Sequence, residues 1–267
     1  MIIDNTLGQY YPADSILHKL DPRVKLVGTI GFLVALFLIN SWVGYVVATV
    51  FLIAMIRLSK VPFHFIVRGL KTIFIILMIT LVFNLFLTPG DRVLVQIWKL
   101  RITDQGLRTA IFMAIRLIYL IIGSSLMTLT TTPNDLTDGL ETLLGPLKKL
   151  HVPVHEISMM MSIALRFIPI LLEETDKIMK AQMARGADFE HGNLIQRAKN
   201  LVPLLVPLFI SAFRRANDLA MAMEARCYRG GEGRTKMKPL VYAGRDYCAY
   251  GILLLFLAAI IAVRVIL

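Results

Sequence analysis

Two segments of the chain close in the same way: Ala181-Gln-Met-Ala184-Arg185-Gly186 and Ala222-Met-Glu-Ala225-Arg226-Cys227 both read A-x-x-A-R. Each ends a long stretch of helical periodicity. Alanines at i and i+3 leave one helix face low enough for another backbone to approach. The arginine one step further on offers a fixed cation with five donors, suited to a carboxylate or a backbone oxygen. The pattern is that of two plugs for two sockets. Helix-on-helix packing would use the same alanines, and an arginine at a helix C-terminus also serves the helix dipole. Aligning Arg185 with Arg226 places Ala181 on Ala222 and Ile178 on Leu219, a weak internal repeat offset by 41 residues. Arginine at the same place in both copies hints at a shared partner geometry.

Three helical stretches carry these ends. Behind Thr132-Pro133, leucines 136, 140, 143, 144, 147 and 150 recur at helical spacing. Acids lie near the start of this stretch and Lys148 and Lys149 near its end, which predicts one surface-lying helix over 133–150. His151-Val-Pro153-Val-His155 breaks it, and Pro153 between the two histidines argues for a loop rather than a metal-binding pair. A second helix is expected over about 155–185. It is apolar from Met159 and Met160 to Leu172, interrupted by Arg166, kinked at Pro169 and stopped by Gly186. A third, over about 194–228, repeats the plan with Pro203 and Pro207 in its apolar half.

Composition places these helices beside a membrane. The chain has 57% hydrophobic residues, net charge +11 and a mean hydropathy of +0.68, a combination that soluble basic domains do not reach. Stretches approaching the roughly 20 residues a bilayer requires occur at about 24–41, 43–58, 73–88, 107–129 and 247–267. The expected fold is therefore all-α and polytopic, with about five transmembrane helices. Residues 1–132 form an N-terminal membrane region, 133–246 a cytoplasmic region of long amphipathic helices, and 247–267 a last span. Met1 to Leu20 lacks a basic n-region before an apolar core and does not read as a signal peptide. Seven basic residues flank the first span and fill the second loop, against four on the opposite side, so the N-terminus is expected in the cytoplasm. Asp21-Pro22 reads as a helix cap with proline at the first helical position. Arg116, inside the fourth span, must either face protein or snorkel to the outer interface.

Several chemistries are missing. No G-x-x-x-x-G-K-[ST] occurs, so the chain has no phosphate loop of its own. Arg229-Gly230-Gly231-Glu-Gly233-Arg234 lacks the Lys-Ser/Thr that such a loop needs and reads as a helix stop. No H-E-x-x-H or G-x-S-x-G is present, the two cysteines, Cys227 and Cys248, form no C-x-x-C, and no acid lies within the five spans. No catalytic residue, cofactor or metal ligand is assigned. A pump without a phosphate loop or an intramembrane acid would have to draw its energy from a partner.

Together, Leu20-Asp-Pro-Arg-Val-Lys25, Thr131-Thr-Pro133, Leu165-Arg-Phe-Ile-Pro169, Ala184-Arg-Gly-Ala-Asp188 and Arg214-Arg-Ala-Asn-Asp-Leu-Ala220 with Ala225-Arg226 extend over nearly the whole chain. In these residues the chain resembles the EcfT family, the transmembrane coupling subunits of energy-coupling factor (ECF) vitamin transporters. The family's two Ala-Arg-Gly motifs fall on Ala184-Arg185-Gly186 and Ala225-Arg226-Cys227, the second departing at Cys227. The resemblance implies a subunit of the cell membrane that joins two cytoplasmic ABC-type ATPases, which bind the ATP and Mg, to a small substrate-binding membrane protein. It implies that each arginine enters a groove of one ATPase. It also implies that Met159, Met160, Arg166, Pro169, Pro203 and Pro207 contact the substrate-binding subunit or transmit movement to it.

Two other readings differ in class. A dedicated cobalt- or biotin-type transporter subunit would look similar. A membrane scaffold or intramembrane enzyme would use the cytoplasmic region to bind lipid or nucleic acid. Residues 133–246 hold 16 basic and 13 acidic residues, mixed rather than striped, which weakens the last reading and argues against a nucleic-acid partner.

Overall fold

Asp21 shows how the chain starts its first helix. Its carboxylate accepts from the Arg23 backbone N–H at 2.9 Å while Pro22 occupies the first helical position, where no amide hydrogen is needed. The computed structural model describes residues 10–88, 93–97, 100–187, 189, 194–231, 237 and 239–266. Asp188, the Glu232–Arg234 part of the glycine-rich stretch and the loop charges Arg92 and Lys99 lie outside them.

Along the chain come α1 (Pro22–Leu38), α2 (Trp42–Ser59), α3 (Phe63–Leu87), β1 (Val93–Ile97), β2 (Leu100–Thr103), α4 (Asp104–Thr130) and α5 (Pro133–Leu144). A 3-10 turn (Gly145–Leu150) leads to α6 (Val154–Ala184), α7 (Leu194–Ala225) and α8 (Gly244–Ile266). The fold is all-α as expected, apart from one feature that helical periodicity does not show. Between α3 and α4, β1 and β2 pair antiparallel, with an irregularity between Val93 and Val95. Val, Ile and Thr are dense there, and β-branched residues favour a pleated ribbon.

The chain divides into two compact units. One holds Gly8–Thr142 and Leu240–Leu267. Within it α1 packs on α4 and α8, α2 on α8 and α4, and α3 along α4. Phe32 of α1, Phe51 of α2 and Phe256 of α8 stack as a trio, Phe51 and Phe256 at 4.2 Å between ring centroids. Gly123 lets α4 meet this trio, because a Cβ there would lie 2.7 Å from the Phe32 ring. Ala35, Leu36, Ala48, Ile66 and Ile260 are almost wholly covered.

The expected helix over 133–150 is two pieces. Thr132 caps α5 by accepting from the Asp135 N–H and donating to its carboxylate. α5 ends at Leu144 because Pro146 cannot donate to the carbonyl four residues before it. Its most buried positions are Thr137 and Gly139, the latter against Pro22 and Leu26, while Leu144, Leu147 and Leu150 remain exposed.

The other unit includes Leu143–Pro239 and is dominated by α6 and α7. These helices match the expected ranges within a few residues and run continuously through Pro169, Pro203 and Pro207. By length and composition, α2, α4, α6 and α8 could each cross a membrane, and a shorter apolar segment, Ile73–Phe86, lies in α3. At 17 residues, α1 rises about 26 Å, slightly less than the hydrocarbon thickness. The presence of α6 in this group reflects its apolar first half, which the sequence reading assigned to the cytoplasmic region.

Candidate partner-docking site

The two A-x-x-A-R segments fold into one geometry. Arg185 is the C-cap of α6, the residue that follows Ala184, at φ −91° and ψ 6°. Gly186 follows at φ 90°, with its N–H on the Met183 carbonyl at 3.0 Å and the Ala187 N–H on the Gln182 carbonyl at 3.0 Å. At the end of α7, Arg226 holds the same place. Cys227 follows at φ 55°, its N–H on the Glu224 carbonyl at 2.9 Å, and the Tyr228 N–H reaches Met223 at 3.1 Å. Both are Schellman caps, in which the residue past the helix turns left-handed so that two amides close the last carbonyls. Glycine takes that conformation freely. Cysteine takes it against the clash of its own Cβ, so the departure at Cys227 leaves the helix ending intact at a local cost.

The surfaces around both caps are open. Ala181, Ala184, Arg185 and Gly186 are exposed, as are Ala222, Ala225, Arg226 and Cys227. The alanines therefore do not serve packing between α6 and α7. Among the described residues, neither arginine side chain makes a hydrogen bond or ion pair.

What spaces the caps is a polar contact between α6 and α7. Arg215 donates to the Glu174 carboxylate at 2.9 and 3.2 Å, and the Ser211 hydroxyl donates to its other oxygen. Eight residues further along α6, Gln182 donates to the Pro203 carbonyl at 3.5 Å. That carbonyl is free because Pro207, four residues on, has no amide hydrogen to give it. As the chain advances along α6 from Glu174 to Gln182, the contacts on α7 retreat from Arg215 to Pro203, so the helices run antiparallel across their contact. Arg185 lies eleven residues beyond Glu174, and Arg226 eleven beyond Arg215. Each cap therefore stands about 16 Å along its helix from the Glu174–Arg215 contact.

The apolar halves are also uncovered in places. Met160 is 58% exposed, Phe209 61% and Phe213 68%. Arg166, Pro169 and Pro203 are exposed, while Met159 and Pro207 are half-buried. The structure does not gather these six residues into a single cluster.

Sequence reasoning missed the role of Leu20-Asp-Pro-Arg-Val-Lys25. Beyond capping α1, the Asp21 carboxylate pairs with the Arg23 guanidinium through two hydrogen bonds of 2.9 and 2.8 Å, both side chains nearly covered. Burial opposes the Asp21 charge, but the Arg23 bonds prevail and its carboxyl lies below the ordinary value. The Arg23 guanidinium sits 3.8 Å over the Tyr242 ring. Asp246, 1% exposed, accepts from the Asp21 N–H at 2.9 Å and the Ala243 N–H at 2.8 Å, joining the starts of α1 and α8. Lys25 donates to the carbonyls of His18 and Thr130. An aspartate 225 residues away carries no local signal for this node. Arg116 faces protein, donating to the Ile39 carbonyl at the end of α1 at 3.0 Å.

Apolar helices of spanning length, with two long helices that run antiparallel across their contact and end in matched arginine caps, define a polytopic helical membrane protein. The family model CbiQ, described as cobalt transport protein, matches residues 13–237. The energy-coupling factor transporter transmembrane protein EcfT of Clostridium kluyveri is 60% identical over 250 residues, 93% of each chain. The protein of that name from Thermosediminibacter oceani is 58% identical over 245 residues, 92% of each. That from Bacillus subtilis is 51% identical over 240 residues, 90% of this chain and 91% of its own. The chain belongs to this family of energy-coupling factor transporter transmembrane proteins.

Proposed function

We propose that this protein is the coupling subunit of an ECF transporter, non-catalytic in itself. It links ATP hydrolysis by two cytoplasmic ABC-type ATPases to uptake of a vitamin or other micronutrient through a small substrate-binding membrane subunit. The observation that carries the reading is the pair of like caps at equal distances along their helices from the Glu174–Arg215 contact. Two like caps, one at the end of each helix, suit two partners of one kind rather than a single one. Each arginine enters a groove on one ATPase and pairs there with a carboxylate or backbone carbonyls. Movement of the ATPases on binding and hydrolysing ATP swings the ends of α6 and α7. The apolar halves carry that movement to the substrate-binding subunit, and methionines at 159 and 160 suit a contact that must re-form at each cycle. Nucleotide and Mg bind the partners, since the chain has no phosphate loop.

In this arrangement the N-terminus and Gly186 are cytoplasmic, and Arg101 and Leu267 external. Labelling of a Gly186→Cys variant in intact cells by an impermeant thiol reagent would contradict it. The docking reading is tested by native mass spectrometry of the complex assembled with both ATPases. Wild type is expected to retain two ATPase copies, and Arg185→Glu or Arg226→Glu to retain one. Two copies on both single variants would mean that the caps are not the sockets' plugs.

A further inference from the structure

Among the described residues the chain passes between its two compact units twice, from Thr142 to Leu143 and from Pro239 to Leu240. In the unit formed by Gly8–Thr142 and Leu240–Leu267, both passages are fastened to one place, the start of α1. Ahead of the first, the Lys25 ammonium donates to the Thr130 carbonyl at 2.8 Å, just before α5 begins. Within α5, Gly139 lies so close to α1 that a Cβ there would stand 3.1 Å from the Pro22 side chain and 3.3 Å from that of Leu26. After the second, Tyr242 lies under the Arg23 guanidinium, and Asp246 accepts from the Asp21 and Ala243 amides on its two carboxylate oxygens.

Stability alone does not call for this arrangement. The Asp21 and Arg23 side chains are each less than a tenth exposed. In such a pair the loss of hydration offsets most of the attraction, so apolar residues of like volume would stabilise the fold about as well. What the polar groups add is direction. The planar guanidinium, forked on Asp21 and stacked on Tyr242, is held in one orientation, and Asp246 fixes the backbone at Asp21 and Ala243 together. Beyond the first passage regular α-helix stops, with Pro146 in a 3-10 turn and His151 at φ 60°. A rigid point of attachment is thus followed at once by a break in the helix.

We infer that the start of α1 is the fixed anchor of the unit that carries α6 and α7. Holding both chain connections at one point makes displacement of these helices directed, where loose connections would absorb it. The inference rests on the coupling function proposed above, with Gly139 and Tyr242 as positioning residues, one for each connection.

The test uses the full chain in complex with both ATPases. Spin labels are attached through p-acetylphenylalanine, which leaves the native cysteines untouched, in place of the exposed Val50 of α2 and Ile195 of α7. Double electron–electron resonance reads the distance between them without nucleotide and with a non-hydrolysable ATP analogue. Wild type is expected to give one narrow distance in each condition, with a shift between the two. Tyr242→Leu removes the ring beneath Arg23, and Gly139→Leu lifts α5 from Pro22. Each is expected to broaden both distributions and lose the shift while both ATPases remain bound. Tyr242→Phe keeps the ring face and is expected to behave as wild type. Narrow, shifting distances in both leucine variants would overturn the anchor and leave the coupling function standing. Release of the ATPases by both of them, or equal broadening in Tyr242→Phe and Tyr242→Leu, would overturn it as well. No nucleotide-dependent shift in wild type with both ATPases bound would overturn the coupling function and the anchor with it.

Discussion

Glu174 and Arg215, joined at 2.9 Å across α6 and α7, stand 41 residues apart, the same offset that superposes Arg185 on Arg226. Equivalent positions of the internal repeat therefore meet between α6 and α7, and each arginine cap lies eleven residues beyond its member of the pair. With side-chain exposures of 23% and 38%, the pair belongs with partly screened ion pairs. A double-mutant cycle on thermal melts of Glu174→Ala and Arg215→Ala is expected to give a coupling of about 0.5 kcal/mol. Transport per ATP is expected to fall more than stability does, since the pair sets an angle.

The cap at Cys227 offers a separate measurement. Replacing Cys227 with glycine removes the left-handed strain and is expected to stabilise the purified protein by about 1 kcal/mol, with ATPase docking unchanged. Gly186→Ala introduces the same strain into the first cap and is expected to cost about 1 kcal/mol or more. Melting temperatures moving in the same direction for both variants would show that the two caps are not equivalent.

Asp246 carries the buried node at the head of α1 and α8. Asp246→Ala strands the Asp21 and Ala243 amides, and each unpaired buried donor costs about 1–3 kcal/mol. The expected outcome is a loss of several degrees in melting temperature and lower yield from membranes. ATPase binding by the surviving protein is expected to be normal, because the caps are not part of the node. Wild-type stability would mean that water replaces the carboxylate.

Pro207 has a defined local role. Pro207→Ala restores an amide that takes the Pro203 carbonyl as its helical acceptor, releasing Gln182. ATPase assembly is expected to persist while transport per ATP hydrolysed declines in proteoliposomes. An unchanged ratio would confine the proline to packing.

The helices, their order and the two arginine caps were legible because periodicity, capping residues and an internal repeat are local properties. Gly186 announced its left-handed turn, and Cys227 hid the same turn behind a residue that ordinarily avoids it. The break at Leu144 was signalled by Pro146 but masked by a leucine stripe that continues past it. The hairpin over 93–103 was missed because attention to helical spacing overlooks short β-rich runs. Nothing local links Asp21 to Asp246 or Glu174 to Arg215, since those contacts exist only once distant helices have packed. The exposure of the alanines likewise becomes visible only in the folded chain, where it argues against a role in packing between α6 and α7.

Docking of both ATPases on Arg185 and Arg226 is checked with the double variant Arg185→Glu, Arg226→Glu, co-expressed with both ATPases and the substrate-binding subunit and assayed for copurification and ATP-driven uptake in proteoliposomes. Reversing both charges strands the partner groups at each interface, a loss of about 3–5 kcal/mol where the pair is buried. The expected result is a membrane-inserted protein that retains neither ATPase and supports no uptake above background. Copurification of both ATPases with uptake at the wild-type rate would contradict it and reduce the two arginines to helix-end charges.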